Sequence, residues 1–187
     1  MTLRFYSPAE RPAGEAARQA AVDRSGVLEG HASAALQQIA EAAAARFDTP
    51  MAAVSIIDHD RQWFAAHLGI GATETSRAVS FCAHAIHSPG EPLIVPDATQ
   101  DHRFSGNPLV IRQPHIRFYA GAPLVTREGH ALGALCVLDH EPHQRTPDLA
   151  VLQILAREAV RWIEDASTPP APPPPGLRKP WPNAFVL

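Results

Sequence analysis

Met51-Ala-Ala-Val-Ser-Ile-Ile-Asp58, His59-Asp60 and Arg61-Gln-Trp-Phe-Ala-Ala-His-Leu68 read as two strands joined by a tight turn. The first run is short, apolar and rich in β-branched residues, the composition of a buried strand. A two-residue polar link folds the second run back on the first as an antiparallel hairpin. Successive side chains on a strand point to opposite faces, so Trp63 and Phe64 divide between core and solvent. Gly69-Ile-Gly71 then breaks the second run.

Upstream of this hairpin, residues 13–25 are Ala-rich and helical, with a stop near Gly26. A second helix runs from about Ser33 to Phe47, where Leu36, Ile39, Ala40, Ala43 and Phe47 recur at three- and four-residue steps. Downstream, Ser80 caps a short helix carrying Phe81, Cys82, Ala85 and Ile86, closed by Ser88-Pro-Gly90. Leu93-Ile-Val95 is a third strand between Pro92 and Pro96. Asp97 to Pro114 is irregular, with a short helix around Asn107–Val110. Phe118–Val125 and Ala131–Asp139 are two further strands, with Arg127–His130 as their hairpin turn. A last helix from about Pro147 to Glu164 carries a broad apolar face from Leu149 to Ile163. These elements predict an α+β fold: a central antiparallel sheet of five or six strands flanked by helices, with the terminal helices on one face.

Pro8 and Pro12 predict a flexible N-terminus over residues 1–12, and the folded domain is expected over 13–166. Residues 167–187 are Pro-rich, and missing N–H groups favour an extended or disordered tail. A formal net charge of −3 with scattered Lys and Arg offers no basic face for nucleic acid. No run approaches the roughly 20 apolar residues of a membrane span, and Met1 to Pro8 lacks the apolar run of a signal peptide. Two cysteines, Cys82 and Cys136, fit a reducing compartment, so a cytoplasmic location is expected.

The order of motifs resembles the GAF family. The stretches that carry the likeness are Met51–Asp58, Arg61-Gln-Trp-Phe64, Ser80-Phe-Cys-Ala-His-Ala-Ile86, Pro96-Asp-Ala-Thr99, Asp101-His-Arg-Phe104, Asn107-Pro-Leu-Val110, Pro114–Gly121 and Leu132–Asp139. Each fragment alone is weak; their shared order from about residue 15 to 165 is specific. It looks like the bacterial subgroup attached to histidine kinases or cyclic-di-GMP enzymes, and partners of those kinds are what the resemblance implies. Gly-Gly-Asp-Glu-Phe, Glu-Ala-Leu and Gly-Lys-Ser/Thr do not occur, so no output signature is visible.

By resemblance, a ligand would sit between the sheet and the segment spanning residues 80–110. The candidate pocket residues are Phe81, Cys82, His84, Asp97, Arg103, Phe104, Asn107, Arg117, Phe118 and Tyr119. Phe104, Phe118 and Tyr119 would form an apolar wall, with His84, Asp97 and Arg117 orienting polar groups. The alternative makes Asp97 and Asp101 local turn caps, pairs Arg103 with an acid and leaves the aromatics as core. Cys82 is either a reactive thiol assisted by His84 or a small packed side chain, and Cys136 reads as core. The ligand's identity stays unknown: Cys82-Ala-His84 does not match the Cys-His of bilin attachment, and the cyclic-nucleotide residue set is missing. No catalytic residue is assigned, and His84 with His87 lacks the third ligand of a metal site.

The expected function is a non-enzymatic sensor that binds a small ligand and signals to a partner or fused output module. The terminal helices are the natural homodimer pair, with an Ala-rich face around Val22 permitting close packing. A thiol redox module using Cys82, including a methionine-sulfoxide-reductase-like one, is a second reading. A ligand-free interaction domain is a third.

Overall fold

The computed structural model describes residues 5–30, 33–145 and 148–167. In chain order the elements are α1 (Glu15–Arg24), α2 (Ser33–Phe47), β1 (Met51–Asp58), β2 (Arg61–Leu68), β3 (Glu74–Ser76), α3 (Phe81–Ala85), β4 (Leu93–Val95), α4 (Pro108–Ile111), β5 (Phe118–Val125), β6 (Ala131–Asp139) and α5 (Leu149–Ser167). The strands form one six-stranded sheet in the order β3-β2-β1-β6-β5-β4, and every neighbouring pair is antiparallel.

Both faces of this sheet are covered, which explains why β1 is buried along its whole length and reads as a continuous apolar run. On one face Ala52, Val54 and Ile56 meet Leu36, Ile39 and Ala43 of α2 and Leu152, Ala156 and Ala159 of α5. The terminal helices α1 and α5 share that face. On the other face Met51, Ala53, Ile57 and Phe64 meet Phe81, Ile86, Phe104 and Val110 beneath a roof of α3, α4 and the irregular segment between them. Two cores thus sandwich the sheet.

Close backbone approaches fix the centre. Between β1 and β2 the pairing passes from Val54↔Ala66 to Ser55↔Phe64, leaving Ala65 as the extra residue of a bulge. At Gly133 on β6, an added Cβ would lie 1.9 Å from the Ser55 carbonyl oxygen, so only glycine fits there.

Several expectations need amendment. β3 was not foreseen: three residues show no period, and the strand exists by pairing with Arg61–Trp63. Neither Trp63 nor Phe64 points to open solvent. Phe64 is buried in the roofed core, while Trp63 packs half-buried against the helix-side core, because helices cover the face expected to be exposed. The last helix extends to Ser167, past the expected Glu164.

Residues 5–12 have no helix or strand and hydrogen-bond to the rest of the domain. The Ser7 N–H donates to the Arg103 carbonyl at 3.1 Å, the Gly106 N–H to the Phe5 carbonyl at 2.7 Å, and Arg11 pairs with Asp60 at 2.7 Å. The proline-rich stretch from Thr168 lies outside the described residues.

α1 spends its apolar face on its own domain. Ala21 and Val22 are buried in the helix-side core, and buried Arg18 donates to the Ala131 and Leu132 carbonyls. That face is therefore not free for a second copy.

Candidate functional site

The roof is built by capped turns. Ser76 Oγ accepts from the Ala78 N–H at 3.2 Å, starting a 3-10 turn over Arg77–Val79. Ser80 Oγ then accepts from the Ala83 N–H at 3.0 Å and starts α3, which turns Phe81 and Cys82 down toward the sheet. Phe81 stacks on Phe104 with ring centroids 4.1 Å apart and lies 5.2 Å from the Tyr119 ring. Asn107 locks the two halves of the roof together. Its side-chain oxygen accepts from the Leu109 N–H at 2.9 Å, and its amide nitrogen donates to the Val79 carbonyl at 3.0 Å.

Beneath Phe81 lies a cavity of about 290 Å³. Phe64, Tyr119, Cys136 and Leu138 line it from the sheet, Phe81, Cys82 and Leu109 from the roof. Ile70, Gly71 and Ala72 close one side, with Gln113 and Pro114 opposite. Gly71, Ala72 and Gln113 are solvent-exposed and mark the mouth. No charged side chain lines it.

Polar side chains do, and besides Gln113 at the mouth two come from the strands. Gln62 on β2 and Thr75 on β3 face each other as cross-strand partners, and both line the cavity. The Thr75 hydroxyl is buried without a hydrogen-bond partner. Gln62 is 7% exposed, and its amide makes no hydrogen bond among the described residues. Buried polar groups are normally satisfied; of this pair, the Thr75 hydroxyl is the one fully buried without a partner.

The floor carries sulfur. Tyr119 and Cys136 sit on β5 and β6 with their side chains on the cavity face. The Tyr119 hydroxyl donates to Cys82 Sγ at 3.3 Å, and Cys82 Sγ lies 3.7 Å from Cys136 Sγ. Gly121 permits this: an added Cβ would meet the Tyr119 hydroxyl at 2.1 Å, because the ring lies back across that position. Hydrogen bonding from Cys136 lowers the Cys82 pKa; burial opposes this, and Ser55 and Tyr119 reinforce it. Cys136 is pushed well above the usual thiol range by its hydrogen bond to Cys82 and by burial. Burial, then the adjacent thiols, raises the Tyr119 phenol.

The wall next to the cavity is held by charge. Arg77, buried at the start of the roof, donates to Glu15 of α1 and, at 3.0 Å, to the His59 carbonyl. Arg18 pairs with the same carboxylate at 2.9 Å. Burial raises the Glu15 pKa, but hydrogen bonds and charge from Arg18 and Arg77 override it and bring it to about 2.

Of the expected pocket residues, the cavity brings together Phe81, Cys82 and Tyr119 and no others. Phe118 cannot join its neighbour Tyr119 there, since adjacent strand residues face opposite sides; it stacks on His143 in the other core at 3.9 Å. Phe104 stands behind Phe81 as core. Asp97 accepts from the Thr99 N–H and hydroxyl, at 2.9 and 2.7 Å, as a local turn cap. Arg103 pairs with Asp101 and lies 5.1 Å over the Phe104 ring. Arg117 donates to the Val110 carbonyl at 2.9 Å, bracing the end of α4. Asn107 is spent on the roof. His84 faces the N-terminal segment instead: its Nε2 lies 3.1 Å from the Ser7 carbonyl oxygen, and burial, then Arg103, lowers its pKa.

Gln62, Thr75, Phe64, Ile70, Leu109, Leu138 and Cys136 are among the lining residues that sequence reasoning missed as site residues. Alternation back from Phe64 could have found Gln62; Thr75 needed the unforeseen pairing. Among the described residues, Asp23, Asp58 and His59 bring three metal-capable atoms within 4.8 Å of one another. The Gln19 amide already bridges both carboxylates, at 2.9 and 2.8 Å.

The fold is matched by the comparisons. A family model described as the GAF domain matches residues 31–161. The chain belongs to the GAF domain family. A cyclic di-GMP phosphodiesterase of Pseudomonas aeruginosa is 50% identical over 150 residues, covering 78% of this chain and 25% of that protein. The chain thus spans about a quarter of the curated relative's length. Among solved structures, the blue-light-absorbing form of a Thermosynechococcus elongatus GAF domain is similar, with a TM-score of 0.60 at 12% identity over 75% of this chain and 88% of that one. The free methionine-R-sulfoxide reductase of Neisseria meningitidis gives 0.57 at 18% identity over 89% and 98%. At such identities the likeness shows the GAF fold alone. No helix among the described residues is long and apolar enough to cross a membrane.

Proposed function

We propose that this GAF domain is a sensory module whose ligand is a small, uncharged, ring-bearing molecule with one amide-like or hydroxyl group. The observation that carries the reading is the buried, unpartnered Thr75 hydroxyl, with Gln62 as its cross-strand neighbour, at the wall of a largely apolar cavity. An apolar cavity of about 150 Å³ accommodates one benzene ring, so about 290 Å³ suits one or two fused rings with a polar substituent. Phosphates have no cation to meet among the lining residues, which counts against cyclic nucleotides and cyclic di-GMP as occupants. A bilin is far larger than the space.

Occupancy would favour one arrangement of the roof, and the sheet would pass that preference to α1 and α5 on its far face. The likeness to a cyclic di-GMP phosphodiesterase supports a cytoplasmic output of that kind, fused or in trans, controlled rather than catalysed by this domain. Pairing of two copies is supported by α5, where Ile154 and Trp162 are exposed eight residues apart on one side of the helix. Sedimentation of Trp162→Glu would then show monomer where the unaltered chain shows dimer.

Benzene and benzamide test the ligand chemistry. A neutral hydrogen bond is worth about 1 kcal/mol, roughly fivefold in affinity, so benzamide should bind about fivefold or more tightly than benzene by calorimetry. Gln62→Leu with Thr75→Val should erase that difference while stabilising the empty fold. Equal affinities in the unaltered protein, or no saturable binding of either probe, would contradict the proposal.

A further inference from the structure

The two cysteines that line the cavity, one from the roof and one from the sheet, have no role in holding a neutral ring. Cys82 arrives on the roof helix α3 and Cys136 on the central strand β6, 54 residues apart in sequence, yet their sulfurs touch at 3.7 Å. Both are free and both line the cavity. Two groups reach Cys82 Sγ: Cys136 at 3.7 Å and the Tyr119 hydroxyl at 3.3 Å. Ser55 is fully buried on β1, and its hydroxyl has no hydrogen-bond partner. A packed, inert cysteine needs no polar neighbours; here a buried hydroxyl donates to one sulfur and a second thiol lies at contact distance from it.

We infer that Cys82 and Cys136 form a reversible dithiol–disulfide pair, oxidised by a small hydroperoxide entering the cavity, and that the disulfide clamps the roof onto the sheet. In the first step Cys82 Sγ attacks one peroxide oxygen. The S–O bond forms, the O–O bond breaks, and the departing oxygen leaves as water or alcohol with the proton the thiol gave up. In the second step Cys136 Sγ attacks the sulfenic sulfur. The S–S bond forms, the S–O bond breaks, and hydroxide leaves as water with the Cys136 proton. The thiols lose two electrons and the peroxide gains two.

Geometry gives the order of events. Cys82 has the hydrogen-bond donors that favour a thiolate, while Cys136 is held protonated until the sulfenic acid appears. A resolving thiol at contact distance outruns further oxidation of the first. A disulfide requires about 2.05 Å between sulfurs, so one side must approach by more than 1 Å. β6 is fixed between β1 and β5, whereas α3 is a five-residue helix; the roof therefore moves, and the cavity beneath Phe81 shrinks. Oxidation would in this way close the same site that binds the ligand. The thiol chemistry stands independently of the ligand's nature; only its consequence for binding rests on the proposed function.

The test uses the full chain, reduced, freed of reductant and titrated with hydrogen peroxide. Intact mass should fall by two hydrogens, peptide mapping should join Cys82 to Cys136, and dithiothreitol should restore the original mass. In Cys136→Ala the cross-link is lost and dimedone adds at Cys82. Should that variant fail to fold, brief dimedone trapping in the unaltered protein reads the same intermediate, with adducts expected on Cys82 rather than Cys136. Oxygen addition without hydrogen loss, a link between chains, or no reaction overturns the inference. Benzamide affinity should drop at least tenfold on oxidation and return on reduction. A mass change without any benzamide binding would refute the ligand reading and leave the dithiol intact. Binding unaffected by a formed disulfide would refute the clamp.

Discussion

Glu15→Gln tests the charge anchor between α1 and the roof. The carboxylate sits between two arginines that are themselves buried, Arg18 at 4% exposure and Arg77 at 5%. Its pKa falls from 4.5 to about 2 in the folded chain; at about 1.4 kcal/mol per unit, that is roughly 3 kcal/mol of stability. Because the folded value is the depressed one, this stability is fully present above the unfolded value of 4.5 and disappears as pH falls toward about 2. The amide keeps the shape and removes the charge, leaving two buried guanidiniums without a counter-ion, a change that typically costs about 3–5 kcal/mol. Arg77 is the more exposed to this loss, since its Nη2 already lacks a partner. Urea unfolding of both proteins from pH 7 to pH 2.5 measures the difference directly, and other carboxylates cancel in the comparison. The variant should be about 3 kcal/mol or more less stable at pH 7, with the gap narrowing steadily below pH 4.5. A gap under 1 kcal/mol at pH 7, or one that stays constant down to pH 2.5, would refute the reasoning.

Gly121→Ala should destabilise by about 1–3 kcal/mol, the usual cost of overpacking. It should also shift Tyr119 away from Cys82, since the new methyl would start 2.1 Å from the hydroxyl oxygen; a stability within 0.5 kcal/mol of the original, with an unmoved tyrosine, would count against the packing described. Asn107→Ala removes both a cap and the tie to Val79, so thermal denaturation should show a loss of about 1–3 kcal/mol. Asn107→Asp keeps the cap alone and should recover only part of that loss; full recovery would mean the Val79 contact is idle. Acid should destabilise the fold at His84, because burial, then Arg103, lowers its pKa in the folded chain, so its contribution is present above the ordinary 6.5 and is lost as pH falls below it. Urea unfolding from pH 7.5 to pH 5 should therefore show a smaller loss of stability in His84→Gln than in the unaltered chain; an equal loss in both would contradict the role given to His84.

Period and punctuation made most of the fold legible. The β1–β2 hairpin, the turn around Gly129, the Ser80 cap and the Asn107 cap each follow from a few adjacent residues whose chemistry is local. β3 was not legible because three residues acquire strand geometry only from a partner. The site fared worse for a related reason. Asp97, Asp101, Arg103 and Arg117 attract attention as polar residues on a loop, but a loop's own backbone needs donors and acceptors, and these side chains supply them. Phe118 and Tyr119 look equivalent in sequence, and strand alternation separates them by the thickness of the sheet. Gln62 looks like an ordinary strand residue. Its meaning comes from Thr75, 13 positions later, whose hydroxyl shares its wall and its lack of partners. The contact between Cys82 and Cys136 likewise depends on how high the roof stands above β6, a tertiary quantity no spacing encodes.

A crystal of the reduced protein soaked with 4-bromobenzamide puts the cavity to the most direct test. Anomalous density for bromine is predicted in the space between Phe64, Phe81 and Leu138, with the probe's amide against Gln62 and Thr75. Bromine found only on the surface, with the cavity empty at saturating probe, would contradict the claim that this GAF domain is built around a ligand.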